Sequence, residues 1–343
     1  MGDPFRFDFP ADDSLGVLSS TAPVAQGATL VRIDKAAVRR FAEALGGRGT
    51  RPGVQPGAAP PEEALHCTFL APRARLNYLL ALEALNFCFW DAEPRWRVRW
   101  RGAAHDGYWA LAAALQRAIA EDALPVWDAH WLARLSASAL AHLLRGEGRS
   151  PPLLEARLAH LREAGAVLQG RWGGQFANLV AAAGGDAVAL ALQIVAEFPS
   201  FRDEAAWQGR TVRFYKRAQI CAADLARLLT DHPLGRLRGL ERLTAFADYK
   251  VPQVLRKEGV LVPAPALAAR IDRGKELPAG SAEEVELRAA TIWAVEWIAR
   301  ALNRQLAAGL PAVSAADVDY LLWTAGQEKT GLPPYHRTRT VYY

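Results

Sequence analysis

The sequence predicts an all-α protein, mainly helical with a few short strands, and three observations carry that expectation. Apolar residues recur at helical spacing in segment after segment, separated by Gly, Pro or Gly-Gly breaks. Alternating, strand-like patterning is confined to short stretches. No fixed period links the helical segments, which argues against a solenoid. With 343 residues, 51% of them hydrophobic, the chain can bury one large core or two smaller ones.

Residues 1–29 carry Asp, Pro, Gly and Ser without period and are expected to wrap the surface or start disordered. Asp34 is a candidate N-cap for a first helix with Val38, Phe41 and Leu45 on one face, ending at Gly46-Gly47. Gly, Pro and Arg then fill a loop over 46–61, long enough to suggest a flexible insertion or a lid. Residues 73–90 read as a central, buried helix, apolar nearly all round from Leu76 to Phe87-Cys88-Phe89-Trp90. Asn86 is a polar group inside that helix and needs a partner, either a neighbouring backbone or a ligand. Trp96, Trp100 and the arginines between them suit a short edge strand.

Helical patterns resume at 108–119, 128–144, 153–168, 175–183 and 186–197. Ser281-Ala282-Glu283-Glu284 has capping-box spacing. The helix it opens puts Val285, Ala289, Ile292 and Ala299 on one stripe, with Glu296 in the middle. A carboxylate there must be paired, shifted in pKa or met by a ligand, with Arg288 or Arg300 as intrahelical partner and only Arg300 in direct i+4 reach. Ser314 and Asp317 begin a last helix that runs to about Ala325, before Gly326. If the tail is extended, Tyr335, Arg337 and Arg339 face one way and His336 the other.

The stretch Phe246-Ala247-Asp248-Tyr249-Lys250-Val251-Pro252-Gln253 is the centre of the functional reading. Upstream, Leu234, Leu237, Leu240, Leu243 and Phe246 recur every third residue, close to a helical face. Downstream, Pro252 suits the first turn of a helix, Val251 before it is pushed out of the α region, and Gly259 suits a terminator. Asp248 therefore falls at a junction between helices, where it either caps the second helix or aims its carboxylate at a ligand. Phe198 to Asp203 and Phe214-Tyr215-Lys216-Arg217 place aromatics beside Lys and Arg. Such groups either anchor loops or meet a base-plus-phosphate ligand.

Composition narrows the classes. A net charge of +5 leans toward anionic partners without marking a nucleic-acid binder. Of 41 basic residues only six are lysines, so Lys216 and Lys250 stand out as compact ammonium groups in a chain that otherwise uses Arg. Cys67, Cys88 and Cys221 form no CxxC pair or zinc spacing, so reduced, buried thiols and a cytoplasmic protein are expected, with no metal. No run is apolar enough to span a bilayer, and no signal pattern opens the chain. The GxGxxG, P-loop, GxSxG, HExxH and calcium-loop patterns are absent, which argues against nucleotide-triphosphate chemistry and hydride transfer.

Asn86-Phe87-Cys88-Phe89-Trp90, Phe198 to Asp203, Phe214 to Gln219, Phe246 to Gln253 and Tyr335-His336-Arg337-Thr338-Arg339-Thr340, taken together and in order, resemble the queuosine salvage family. Its members are queuosine 5′-phosphate N-glycosylase/hydrolases. The likeness runs from about Leu65 to the C-terminus. Residues 1–64 then form an N-terminal helix and flexible loop, and residues 65–343 one large helical catalytic body, open to division into two lobes with the active site between them.

The resemblance implies a helix-hairpin-helix DNA-glycosylase-like fold without metal or diffusible cofactor. It also implies hydrolysis of queuosine 5′-monophosphate to queuine and ribose 5-phosphate. The family's catalytic aspartate maps to Asp248 and its phosphate-proximal lysine to Lys216. Candidate base contacts are Asn86, Phe87, Trp90 and Phe201, with Glu296 or Asp203 reading the guanine-like edge. Lys216, Tyr249, Lys250, His336, Arg337 and Arg339 are candidates for the phosphate and ribose. The expected protein is a cytoplasmic monomer acting on a small-molecule nucleotide, with no membrane and no stable nucleic-acid partner. The alternative is a glycosylase or binding module acting on intact tRNA or DNA, against which stands the lack of a continuous basic stripe.

Overall fold

Capping residues followed by apolar faces dictate helices along most of the chain. The computed structural model describes residues 3–47, 67, 69–306, 309–328 and 331–343. In chain order the elements are α1 (Val17–Gln26), β1 (Val31–Ile33), α2 (Lys35–Gly47), α3 (Pro72–Ala84), β2 (Arg97–Trp100), β3 (Ala103–Asp106), α4 (Gly107–Ala120), α5 (Ala129–Ala133) and α6 (Ala137–Leu143). There follow α7 (Leu154–Arg171), α8 (Phe176–Ala182), α9 (Ala187–Glu197), β4 (Glu204–Trp207), β5 (Arg210–Arg213), α10 (Lys216–Leu228), α11 (Lys250–Lys257), β6 (Leu261–Pro263), α12 (Pro265–Asp272), α13 (Ala282–Asn303) and α14 (Ala315–Ala325). The fold is thus mainly helical. The strands form two-stranded antiparallel pairs, β1 with β6, β2 with β3 and β4 with β5. No helix is long and apolar enough to cross a membrane among the described residues. Beyond Gly47, the loop expected over 46–61 lies outside the described residues.

Two compact units emerge. The first comprises the described parts of residues 1–55, 203–216 and 239–339. Its axis is α13, buried on nearly all sides from Glu284 to Leu302 and packed by α1, α2, α11 and α14. Trp293 donates its indole N–H to the Thr21 hydroxyl at 3.1 Å, and Trp297 donates to the Arg6 carbonyl at 3.0 Å. Phe5 and Phe7 lie against these rings at centroid distances of 5.9 and 5.0 Å. The N-terminal stretch, expected at the surface, is therefore partly core. Its helix α1 contains Pro23 and polar Ser and Thr, which hid an apolar face made by Val17, Leu18, Thr21, Ala22 and Val24.

The second unit comprises the described parts of residues 56–202, 217–238 and 340–343. Here α3 is buried all round from Leu76 to Ala84, but it stops at Ala84, and Asn86 to Trp90 continue as irregular chain instead of the helix expected to reach residue 90. The stretch expected as one helix over 128–144 is two, α5 capped by Asp128 and α6 capped by Ser136.

Helix α7 crosses α5 at Gly165, where an added Cβ would sit 2.3 Å from the Ala133 backbone nitrogen and 2.6 Å from the Ala129 carbonyl oxygen. Neither backbone atom can yield without separating the helices. Gly165→Ala is expected to cost roughly 1–3 kcal/mol through overpacking. Thermal unfolding monitored by circular dichroism should show a midpoint lower by about 2 °C or more; an unchanged midpoint would mean the helices are free to part.

Candidate active site around Asp248

The chain delivers Asp248 differently from the sequence expectation. Residues 234–246 do not form an α-helix. They form 3₁₀ turns at Pro233–Gly235 and Leu240–Arg242 and then an extended, buried run from Leu243 to Asp248. The three-residue spacing of the leucines matches the 3₁₀ repeat, and Gly235 and Gly239 interrupt any longer helix. Downstream, α11 begins at Lys250 with Pro252 in its first turn, and Gly259 follows its end at φ 70°. Val251, before the proline, is helical all the same.

The capping alternative applies to one oxygen of Asp248. Its Oδ1 accepts from the Lys250 N–H at 2.7 Å and the Val251 N–H at 2.9 Å, which caps α11. Its Oδ2 takes no hydrogen bond from the described residues. The side chain is only 6% exposed, and burial raises its pKa above the ordinary carboxylate value. The Lys216 ammonium, the two backbone N–H groups and Lys250 pull it part of the way back. A cap thus holds the carboxylate in place while one oxygen stays available.

A second buried acid, Asp319 on α14, completes the cluster. Its Oδ1 accepts from the Phe246 N–H at 2.8 Å, two residues before Asp248. Burial, and after it the charge of Asp248, push its pKa well above the ordinary value, against the smaller pull of Phe246 N–H and Lys216. Two like charges this close do not both ionise readily, so Asp319 holds its proton where Asp248 is already charged. Asp319 was not a sequence candidate.

Behind them lies a buried ion pair. Arg288 on α13 grips Asp203 with both ends of its fork, at 2.8 Å to Oδ1 and 2.6 Å to Oδ2, and donates from Nε to the Ala247 carbonyl at 3.1 Å. Its guanidinium lies 3.8 Å from the centroid of Phe214. Asp203 Oδ2 also accepts the Lys216 N–H at 3.2 Å, and the Asp203 carbonyl accepts from Phe214 and Tyr215. Tyr215 sits at φ 51°, a left-handed backbone that a side chain disfavours, and its hydroxyl is tied to Glu204. Asp203 is therefore saturated, and the chain around it turns so that α10 starts at Lys216.

The tail alternates as expected: His336 and Thr338 are buried, while Tyr335, Arg337 and Arg339 are more open. Tyr335 packs on Tyr249 at 4.9 Å, and the Lys250 ammonium, bonded to the Gly326 carbonyl at 2.8 Å, lies over the Tyr335 ring at 5.5 Å. Burial and Arg288 hold the His336 pKa down to about 3, so it is a neutral imidazole. The Arg337 carbonyl accepts the Leu277 N–H. Arg339 pairs with Glu276 at 3.1 Å, and Glu296 pairs with Arg300 at 3.0 Å as i+4 spacing allows. The structure thus gathers Asp203, Lys216, Asp248, Tyr249, Lys250 and His336 into one network, and leaves Glu296 and Arg339 in separate ion pairs.

In the second unit, Asn86 donates to Glu83 at 2.9 Å. Phe87 and Phe201 are buried, Phe87 beneath the guanidinium of Arg157 at 4.4 Å and Phe201 beneath that of Arg217 at 4.5 Å. Trp90 is 3% exposed. Arg157 and Arg217 donate to the carbonyls of residues 83–85, 87 and 88, satisfying the end of α3 and the loop after it. The three cysteines are buried and not joined in disulfides, as expected.

Comparison with known proteins finds relatives aligned over nearly the whole chain. The family model described as queuosine salvage protein matches residues 66–343. A protein of Sphaerobacter thermophilus named queuosine 5′-phosphate N-glycosylase/hydrolase is 49% identical over 96% of this chain and 98% of its own length. The mouse protein of the same name is 35% identical over 93% of this chain and 96% of its own, and that of Schizosaccharomyces pombe 29% identical over 80% and 86%. With a family model covering most of its length and relatives aligned almost end to end, the chain belongs to the queuosine salvage protein family.

Proposed function

We propose that the protein hydrolyses the N-glycosidic bond of queuosine 5′-monophosphate, releasing queuine and ribose 5-phosphate. The observation that carries this reading is Asp248, a buried carboxylate with one oxygen fixed by two backbone N–H groups and the other without a hydrogen bond among the described residues. As the C1′–N bond lengthens, its electron pair leaves with the base and the sugar becomes oxocarbenium-like. Asp248 Oδ2 stabilises that charge and takes a proton from the incoming water as the water oxygen bonds to C1′. The departing 7-deazaguanine base has no basic N7, so it needs a proton from another acid. Asp319, which retains its proton beside an ionised Asp248, supplies it.

Within this reading Lys216 keeps Asp248 charged and meets the 5′-phosphate, and Tyr249, Tyr335 and Lys250 border the ribose and phosphate. Arg337 and neutral His336 remain proposed contacts of the tail. The cluster needs no metal or diffusible cofactor for this chemistry. A fold related to the helix-hairpin-helix DNA glycosylases is proposed with it, supported by the helical content and by a catalytic aspartate that leads a helix. The family relationship favours the mononucleotide over an intact tRNA.

The test is mass-spectrometric product analysis with queuosine 5′-monophosphate, queuosine, GMP and queuosine-containing tRNA as separate substrates. Queuine from the monophosphate is the expected result; release from tRNA alone would overturn the mononucleotide reading. Lys216→Ala sharpens it. Losing the cation that lowers the Asp248 pKa moves the acid limb of the kcat profile to higher pH. KM for the monophosphate should rise roughly tenfold or more while KM for the nucleoside changes little. Equal weakening of both substrates would remove the phosphate role.

A further inference from the structure

The distance between Lys216 and Asp248 is not set by either residue. They lie on separate stretches of chain, and each stretch is held by the same planar group on a third. Arg288 spends two of its nitrogens on Asp203, whose Oδ2 receives the N–H of Lys216, and its Nε on the carbonyl of Ala247, next to Asp248. Two further neighbours flank it: Phe214 covers one face of the guanidinium, and Glu284, one turn earlier on α13, lies 3.6 Å from Nη1. Both Arg288 and Asp203 are 2% exposed, so neither pairs with solvent and neither has room to swing. A buried ion pair gives little net stability, because desolvation cancels most of its attraction, and its retention calls for another reason.

We propose that Arg288 and Asp203 are positioning residues, a buried clamp that fixes the spacing of Lys216 against Asp248 and with it the competence of the Asp248 carboxylate. The inference rests on the catalytic reading of Asp248 given above. Only a fork serves this purpose. A lysine at 288 brings the same charge, but a single ammonium cannot hold a carboxylate edge-on and reach the Ala247 carbonyl in a second direction. The two chain segments would then settle independently, and displacements of about 1 Å at reacting groups can cost on the order of a hundredfold in rate. The same clamp holds the turn at Tyr215, whose left-handed backbone is tied by the Asp203 carbonyl and, through its hydroxyl, by Glu204.

The experiment uses the full-length protein with Arg288→Lys, and Asp203→Asn as the second variant should the first fail to fold. Asp203→Asn keeps an acceptor oxygen for Lys216 N–H and gives up the two-oxygen grip. Each is expected to lower kcat about ten- to a hundredfold, with KM for the nucleoside queuosine within roughly threefold of wild type. A merely structural role predicts a lower melting midpoint with kcat per folded molecule unchanged, and that result would overturn the clamp.

A substrate-free readout separates this inference from the proposed reaction. Carbon-13 NMR of the aspartate carboxyls, with the Asp248 signal assigned by its loss in Asp248→Asn, reports that group's titration directly. Lys216, Lys250 and Asp319 are the charged or titratable groups acting on it. With the clamp loosened, Lys216 recedes and the Asp248 titration moves to higher pH. An unmoved titration overturns the clamp even if turnover falls. A moved titration in a protein that releases no queuine upholds the clamp and sinks the proposed substrate instead.

Discussion

Asp248→Asn is expected to abolish queuine release, with kcat falling roughly a thousandfold or more, while the protein folds as well as wild type. The two halves of that expectation come from the two oxygens. Asparagine keeps an Oδ1 to accept the N–H groups of Lys250 and Val251, so the cap on α11 survives. It has no negative charge to place against an oxocarbenium-like sugar. The stability half has a sign that can be checked. The folded-state pKa of Asp248 is raised by burial. Its contribution is therefore fully present below the unfolded carboxylate pKa and is lost as pH rises through the folded value. Replacing it by a neutral isostere removes that loss. Thermal melts should show the variant gaining on wild type between the acid range and neutrality. A variant that melts well below wild type at neutral pH would mean the lost activity reports unfolding and not chemistry. Residual queuine release within about tenfold of wild type would move the catalytic role elsewhere.

How far the sequence could anticipate this site depends on the range of each interaction. Local signals were legible. Asp34, Ser281 and Ser314 all cap helices, Ser314 with Asp317 forming the full reciprocal box, and the tail alternates its burial from Tyr335 to Thr338. Asp248 was legible because Pro252 and Gly259 bracket a short helix and leave the aspartate at its entrance. The extended run before it was not, since a leucine every third residue suits an α-helical face almost as well as 3₁₀ turns.

Asp203 was singled out for its company of aromatics and basic groups, but its partner Arg288 lies 85 positions away, and such a pairing leaves no periodic trace. What the sequence did offer was Arg288 flanked by Leu287 and Ala289 in a helix apolar nearly all round. A charge in that setting requires a buried counter-charge. Asp319 was hidden in a similar way. Asp317 carries the visible capping signal, while Asp319, two positions on, is oriented by a bond to Phe246 across 73 positions.

That hidden acid makes the sharper prediction about pH. Because Asp248 must be charged and Asp319 protonated, kcat should follow a bell, with an acid limb from Asp248 and an alkaline limb from Asp319, whose pKa burial and the Asp248 charge push well up. The two limbs belong to the pair as a whole, since each charge acts on the other. Asp319→Asn keeps an oxygen for the Phe246 N–H and so preserves the buried run that leads to Asp248. It has no carboxyl proton to give. Its kcat should fall on the order of a hundred- to a thousandfold, the range for losing a general acid, and the alkaline limb should vanish while the acid limb stays.

Stability follows the same linkage as for Asp248. A group with a raised folded pKa stabilises while protonated and loses that contribution as pH rises through it, so the variant should resist alkaline destabilisation better than wild type. If the alkaline limb persists with kcat near wild type, proton delivery to the leaving base belongs to another group, and Asp319 serves only to hold Phe246. If the limb vanishes and kcat drops, then the two carboxylates divide the reaction as their surroundings dictate. The one facing Lys216 with two backbone caps takes the charge, and the one left with a single cap keeps the proton.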